Sequence, residues 1–114
     1  DEIQALFSKG KSFTEFPFRV VYIVSPRKEV AVKIAVSIPK KKFKKAVDRN
    51  LLKRRTKEAY RLNKHELIEA ISTKNISILI MFIYQSNDPK PFVEIEQKIK
   101  RILLRLKEEY GKAN

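Results

Sequence analysis

The chain has 114 residues, of which 43% are hydrophobic, and its formal net charge is +13 at pH 7. This length and composition suit one domain with one core, so we predict a single domain over residues 1–114 and exclude a disordered basic tail. The absence of cysteine excludes disulfide bonds and thiolate metal sites and suits a reducing compartment. No apolar segment reaches the roughly 18 residues of a membrane-spanning helix, and we expect no signal peptide.

Hydrophobic periodicity and turn signals divide the chain into helices and strands. In chain order we predict a helix at 1–9, strands at 11–15, 18–24 and 30–38, a basic helix within 39–64, a further helical turn or two at 65–72, a strand at 76–84 and a helix at 92–110. This order indicates an α+β fold, an αβββαβα sandwich with helices packed on a central sheet. A short turn at 25–28 favours an antiparallel hairpin between the second and third strands. Strand 76–84 is nearly all apolar, which indicates a central strand covered on both faces.

The third strand carries two kinds of side chain in alternation. Every second residue from Val30 to Ile38 is β-branched and apolar, so we predict that these residues face the core. The residues between them are small or polar, namely Ala31, Lys33, Ala35 and Ser37. Small side chains leave room for a ligand to lie across that face of the sheet.

The positive charge is concentrated in residues 39–64. This segment has twelve Lys or Arg and two acidic residues, which gives +10 of the chain's +13. A field this focused indicates a polyanionic ligand. At about 100° per residue, polar and basic residues share one arc of the predicted helix: Arg49, Asn50, Lys53, Arg54, Lys57 and Arg61. Apolar residues are predicted to pack on the core from the other side: Val47, Leu51, Leu52, Ala59 and Leu62.

We also predict the positions of two further residues of this helix, Asp48 and Arg55. Asp48 is expected at the N-cap or within the first turn, where the helix dipole favours a carboxylate. Arg55 falls inside the apolar arc, so we expect its alkyl stem along the edge of the core and its guanidinium reaching outward.

A helix that uses its lysines only for solubility is the simplest alternative. Ordinary soluble faces mix both signs of charge, however, and like charges four residues apart repel by a few tenths of a kcal/mol per pair. The pattern therefore favours nucleic-acid binding over solubility or an acidic membrane. Aromatic side chains can add stacking platforms for unpaired bases, although most aromatics at strand or helix spacing belong to the core. The candidates are Phe7, Phe13, Phe16, Phe18, Tyr22 and Phe43.

No set of activated catalytic groups can be assembled from the sequence. His65 is the only histidine and is expected to be an ordinary surface or interface residue. A phosphate-binding loop and clustered carboxylates for Mg²⁺ are also missing from the pattern. We therefore predict a binding protein, with neither catalytic residues nor metal ligands of its own.

One run of the sequence carries a family motif. It reads Ser37-Ile38-Pro39-Lys40-Lys41, then Ala46-Val47-Asp48-Arg49-Asn50, then Lys53-Arg54 and Glu58-Ala59-Tyr60. This run resembles the protein subunit of bacterial ribonuclease P, in which a Ser-x-Ser-Lys-Lys type segment precedes a helix bearing the RNR motif. Here Leu51 replaces the last arginine of that motif, and Lys44-Lys45 replace the usual Gly-Asn. The order of elements along the whole chain, with Phe7 and Gly10 ahead of the first strands, also fits.

The resemblance implies that residues 1–114 form one RNA-binding domain that assists removal of the 5′ leader from precursor tRNA. It implies that an RNA subunit performs the hydrolysis with Mg²⁺, and that the partners are this catalytic RNA and precursor tRNA, in the cytoplasm, without membrane or DNA. The implied RNA-binding residues are Lys40, Lys41, Lys42, Lys44, Lys45, Arg49, Asn50, Lys53, Arg54, Lys57 and Arg61. The implied leader-cleft residues are Phe7, Phe18, Tyr22, Lys33 and Ser37. The family also implies a left-handed crossover at the basic helix, an exception to the right-handed rule.

Two other functions stay open from the sequence. The first is a structural RNA-binding protein such as a ribosomal protein, which would also bind with strong salt dependence. The second is a regulator of duplex DNA that places the basic helix in a major groove. Only a ribonuclease P subunit is predicted to promote precursor cleavage by a catalytic RNA.

Overall fold

The computed structural model describes residues 2–26 and 31–112. Its elements are α1 (Glu2–Lys9), β1 (Lys11–Glu15), β2 (Phe18–Pro26), β3 (Ala31–Ser37), α2 (Ala46–Asn63), α3 (His65–Ile71), β4 (Ile76–Tyr84) and α4 (Phe92–Tyr110). The strands form one sheet in the order β1-β2-β4-β3. Helices α2, α3 and α4 pack on one face of the sheet and α1 packs on the other. The predicted α+β sandwich and its order of elements are confirmed.

The predicted hairpin between the second and third strands is wrong. β4 lies between them, antiparallel to β2 and parallel to β3. The nearly all-apolar β4 buries most of its side chains in this central position, where it has a neighbouring strand on each side. β3 therefore reaches its parallel partner through α2 and α3, and the handedness of this crossover stays a prediction. Of the predicted turn, Ser25 and Pro26 still belong to β2, whereas Arg27 and Lys28 lie outside the described residues, as does Val30.

The main core lies between the sheet and helices α2, α3 and α4. Every second residue of β3 packs against it, as the alternation predicts. The predicted apolar stripe of α4 is buried along most of its length, at Ile95, Ile99, Ile102, Leu103 and Leu106. Phe18 is fully buried, and its ring meets those of Phe82 and Tyr84 edge to face. The α4 stripe thus belongs to the core on the helix-covered face of the sheet, and the aromatic contacts join β2 to β4 on that face.

A small second cluster fixes α1 on the opposite face of the sheet. Leu6 is buried against Val21 and Met81. The helix ends at Gly10, whose N–H donates to the carbonyl of Leu6 at 3.0 Å. A Cβ at this position would lie 2.3 Å from that carbonyl oxygen and 3.0 Å from the carbonyl oxygen of Tyr22. Only glycine lets the chain leave α1 this close to β2.

The buried face of α2 differs in part from the prediction. Leu52 and Ala59 are buried as predicted, but Val47 is 76% exposed and Leu62 is 49% exposed. Thr56 and Tyr60 are buried in their place. The Thr56 hydroxyl can be buried because it donates to the carbonyl of Leu52 at 2.8 Å. Burial raises the pKa of Tyr60 to about 12.

Candidate nucleic-acid interface

The outer side of α2 forms a shallow groove, here called the outer groove. It is lined by Val47, Asn50, Lys53, Arg54 and Lys57. Val47, Asn50, Arg54 and Lys57 follow one another at intervals of three or four along the helix, and Lys53 lies three residues after Asn50 and four before Lys57, so all five share one face. Three cations, an amide and the apolar side chain of Val47 line the groove, with no acidic residue among them. This composition suits a nucleic-acid backbone, whose phosphates would meet the cations.

Arg61 continues the basic row toward the end of α2, but a neighbouring acid balances its charge. Its guanidinium binds the Glu58 carboxylate through two contacts, Nε to Oε1 at 2.6 Å and Nη2 to Oε2 at 3.0 Å. The pair lowers the pKa of Glu58 and raises the pKa of Arg61. Both side chains are exposed, so Arg61 remains accessible but contributes less net charge than the groove cations.

Residues Lys40–Lys45, here called the lysine segment, lie between β3 and α2. The N–H groups of Lys42 and Phe43 both donate to the carbonyl of Pro39, at 3.1 and 3.2 Å, and so form a turn. Phe43 is buried, and its ring centroid lies 5.8 Å from that of Tyr84. Lys42 is half-buried and donates to Asn87 at 3.4 Å, and the remaining lysines are exposed. The buried Phe43 thus anchors a run of cations at the start of α2.

Arg49, predicted in the basic arc, does not line the outer groove. It is half-buried, and its Nη1 donates to the carbonyls of Phe43 and Lys44 at 2.8 and 2.9 Å. Arg55 is also half-buried, but its Nη1 donates to the carbonyl of Lys90 at 2.6 Å rather than reaching into solvent. Asp48 lies in the first turn of α2, as predicted. The two arginines therefore bind protein backbone, each beside a different loop.

The face of the sheet beside α1 offers a second surface, here called the open sheet face. Its residues on β3 and β4 are Ala31, Lys33, Ala35, Ser37, Leu79 and Ile83. Lys33 is exposed and the others are half-buried, because α1 packs mainly over β2. β4 is therefore central, as predicted, but only partly covered on this side. The predicted small and polar side of β3 is confirmed.

Phe18 and Tyr22, two of the predicted leader-cleft residues, lie on the helix-covered face of the sheet. Phe18 is fully buried, and the Tyr22 hydroxyl donates to the Glu109 carboxylate at 3.5 Å beneath α4. Burial is the main cause that raises the pKa of Tyr22. The placement of these two aromatics in a cleft with Lys33 and Ser37 is therefore wrong. Strand β2 places Val21 on that side instead.

The other candidate aromatics divide between core and surface. Phe13 is half-buried beneath the guanidinium of Arg105, which lies 4.0 Å from its ring centroid, and Phe43 is buried. Phe7 is 61% exposed on α1, and Phe16 is exposed at the turn between β1 and β2. Phe7 is therefore the predicted cleft aromatic whose ring is open to a ligand.

A protein-family model matches most of the chain. The family model described as Ribonuclease P matches residues 1–107. The chain belongs to the ribonuclease P protein family. Its relatives include the ribonuclease P protein component of Porphyromonas gingivalis, 39% identical over 107 residues, which are 93% of this chain and 78% of that protein. The corresponding protein of Clostridium kluyveri is 32% identical over 102 residues, 90% of this chain and 85% of that protein.

Solved structures of the family share the fold. The RNase P protein of Staphylococcus aureus superposes with a TM-score of 0.71 at 19% identity, over 97% of this chain and 92% of that one. The RNase P protein of Thermotoga maritima gives a TM-score of 0.69 at 22% identity, over 91% of this chain and 90% of that one. Within residues 2–26 and 31–112, none of the helices combines the length and apolar character needed to cross a membrane. His65 is exposed at the start of α3, as predicted for a surface residue.

Proposed function

We propose that this chain binds the catalytic RNA of ribonuclease P through the outer groove and the lysine segment. The observation that carries the proposal is the concentration of +10 net charge in residues 39–64, with most of its cations exposed on one side of α2 and on the adjoining loop. Such a surface neutralises phosphates and positions an RNA without reading its sequence. A cytoplasmic location follows from this partner.

The hydrolysis itself is assigned to the RNA subunit. Among the residues that the structure describes, His, Asp and Glu side chains do not gather in groups of three or more that could hold a metal ion. A protein-only Mg²⁺ site would need such a group of ligands, so its absence among the described residues supports our assignment of Mg²⁺ to the RNA. The role left for this chain is to bind and orient the catalytic RNA and precursor tRNA.

We further propose that the open sheet face receives the single-stranded 5′ leader of precursor tRNA. The small residues Ala31, Ala35 and Ser37 leave a shallow surface, Lys33 supplies a cation, and exposed Phe7 lies on the neighbouring helix. A basic groove with an aromatic side chain is the usual arrangement for binding an unpaired strand. The flat face also accepts different leader sequences, because it presents few groups that could read base edges.

Binding measurements test the proposed RNA partner. We expect tighter binding to a matched catalytic RNA than to a duplex DNA of equal length, and an affinity that falls steeply with salt concentration. The same titration with a fragment of ribosomal RNA addresses the structural alternative. Tightest binding to the DNA duplex or to the ribosomal fragment would contradict the proposal. The family assignment of residues 1–107 already favours the ribonuclease P reading over both alternatives.

Replacing Phe7 by Ala tests the proposed leader site. We expect affinity for precursor tRNA to fall at least about fivefold, because one stacked base contributes about 1 to 3 kcal/mol. Affinity for mature tRNA, which has no leader, should stay within about twofold. Exposed Phe16 provides the matched control, since Phe16→Ala removes a similar exposed ring at the turn between β1 and β2. Equal losses for precursor and mature tRNA in Phe7→Ala would exclude a leader contact.

A further inference from the structure

Arg49 lies on the inner side of α2. It precedes buried Thr56 by seven residues, and at about 100° per residue this spacing puts the two side chains nearly in line. Arg54 and Lys57 are exposed in the outer groove, turned by about 140° and about 80° from Arg49 around the helix, and half-buried Lys53 also lines that groove. Arg49 thus lies between the buried side of α2 and the outer groove, and it does not line that groove.

The Arg49 guanidinium instead binds the end of the lysine segment. Its contacts with the carbonyls of Phe43 and Lys44, at 2.8 and 2.9 Å, have the lengths of strong charge-assisted hydrogen bonds. Lys45, the N-cap residue of α2, makes no side-chain capping hydrogen bond. Arg49 therefore joins the first turn of the helix to the lysines that precede it.

The lysine segment is also held from its other side, through Tyr84. The ring of Phe43 packs on Tyr84, whose hydroxyl donates to the carbonyl of Asp88 at 2.6 Å and accepts from the N–H of Lys90 at 2.9 Å. Arg55 of α2 also contacts this second loop, since its guanidinium donates to the carbonyl of Lys90. Two arginines of α2 thus fix the two loops that Phe43 and Tyr84 bring together.

A fixed backbone matters for the lysine segment because five of its six residues are lysines. Like charges at this density repel, and an unrestrained loop would lose conformational entropy when RNA orders it. Preorganisation of a binding segment removes part of that cost from the binding step. An anchored segment would therefore present its cations to RNA at a lower entropic cost than a loose one.

We propose that Arg49 is a positioning residue that holds the lysine segment in its RNA-binding arrangement and acts on RNA affinity through that segment. This inference rests on the proposed function, namely that residues 39–64 bind the catalytic RNA. It assigns Arg49 a different role from Lys53 and Lys57, although all three belong to the basic row predicted from the sequence.

The variant Arg49→Lys tests this role because it keeps the charge but lacks the planar guanidinium that reaches both carbonyls. We expect affinity for the catalytic RNA to fall roughly tenfold at fixed salt. In the protein without RNA, hydrogen exchange at the amides of Lys42 and Phe43 should become several times faster. The control Lys53→Gln should weaken RNA binding and leave those two exchange rates unchanged, since Lys53 lies in the outer groove.

Measuring Arg49→Lys in a protein that lacks two lysines of the lysine segment distinguishes a positioning role of Arg49 from a direct contact between Arg49 and RNA. If Arg49 acts through the segment, Arg49→Lys should cost at most about twofold in a protein that already carries Lys44→Gln and Lys45→Gln. An equal loss in both backgrounds would overturn the inference, as would unchanged affinity together with unchanged exchange. Failure of the unmodified protein to bind the catalytic RNA would instead contradict the proposed function. The exchange rates would then still decide whether Arg49 holds the segment.

Discussion

Replacing Lys53, Arg54 and Lys57 together by Gln is expected to weaken binding to the catalytic RNA about a hundredfold. Each of these groove cations is assigned one phosphate partner and about 1 kcal/mol at the protein surface, so the triple replacement gives about two orders of magnitude. The dependence of log affinity on log salt should become shallower by about 1 for each phosphate that is no longer neutralised. Isothermal titration or filter binding at several salt concentrations measures both effects.

The matched control removes the same charge from a different surface. Lys100, Arg101 and Lys112 are exposed on or just beyond α4, and Arg101 contributes only an exposed ion pair to Glu15. Their replacement by Gln should change affinity less than about fivefold, through the overall field alone. Equal reductions in affinity for the two triple variants would show that binding depends on total charge and would contradict a site on α2.

Replacing Phe18 by Ala is expected to reduce the free energy of unfolding by about 3 to 5 kcal/mol. This is the usual range for deletion of a buried phenyl ring, because the cavity left behind is only partly filled. Phe18 is fully buried and packs on Phe82 and Tyr84, which leaves little freedom for such relaxation. Chemical denaturation monitored by circular dichroism measures the change.

The same variant tests the position of Phe18 relative to the leader. Under conditions where it remains folded, Phe18→Ala should bind precursor and mature tRNA with the same affinity ratio as the unmodified protein. Phe7→Ala is the matched control for stability, since its exposed ring should contribute less than about 1 kcal/mol to folding. A Phe18→Ala protein of normal stability with a selective loss of precursor binding would restore Phe18 to the leader cleft.

Local patterns were sufficient to predict most of the elements and part of each of the two surfaces. The helix over residues 92–110 and the two sides of β3 follow from periodicities of 3.6 and 2, and both agree with the structure. The outer groove could be predicted because Asn50, Arg54 and Lys57 recur at helical spacing. Family motifs added a function that charge alone could not supply.

Features that depend on distant partners were not predictable in the same way. The pairing of β3 with β4 brings together strands that α2 and α3 separate in the chain. The short turn predicted after β2 suggested instead that β3 pairs with β2. β2 is apolar on both faces, so alternation cannot say which side Phe18 occupies. Thr56 was not predicted to be buried because its side chain is polar. Its burial depends on a hydrogen bond to the helix backbone, which the sequence does not show. Arg49 was grouped with the groove cations because spacing alone does not reveal the carbonyls that its guanidinium binds.

Single-turnover cleavage of precursor tRNA by a matched catalytic RNA, with and without this protein, tests the central claim most directly. The Mg²⁺ concentration should be low enough for the RNA alone to react slowly. We expect the unmodified protein to accelerate removal of the 5′ leader at least tenfold, and the Lys53, Arg54 and Lys57 triple variant to lose most of that acceleration at the same protein concentration. An unchanged cleavage rate on addition of the unmodified protein would contradict the account.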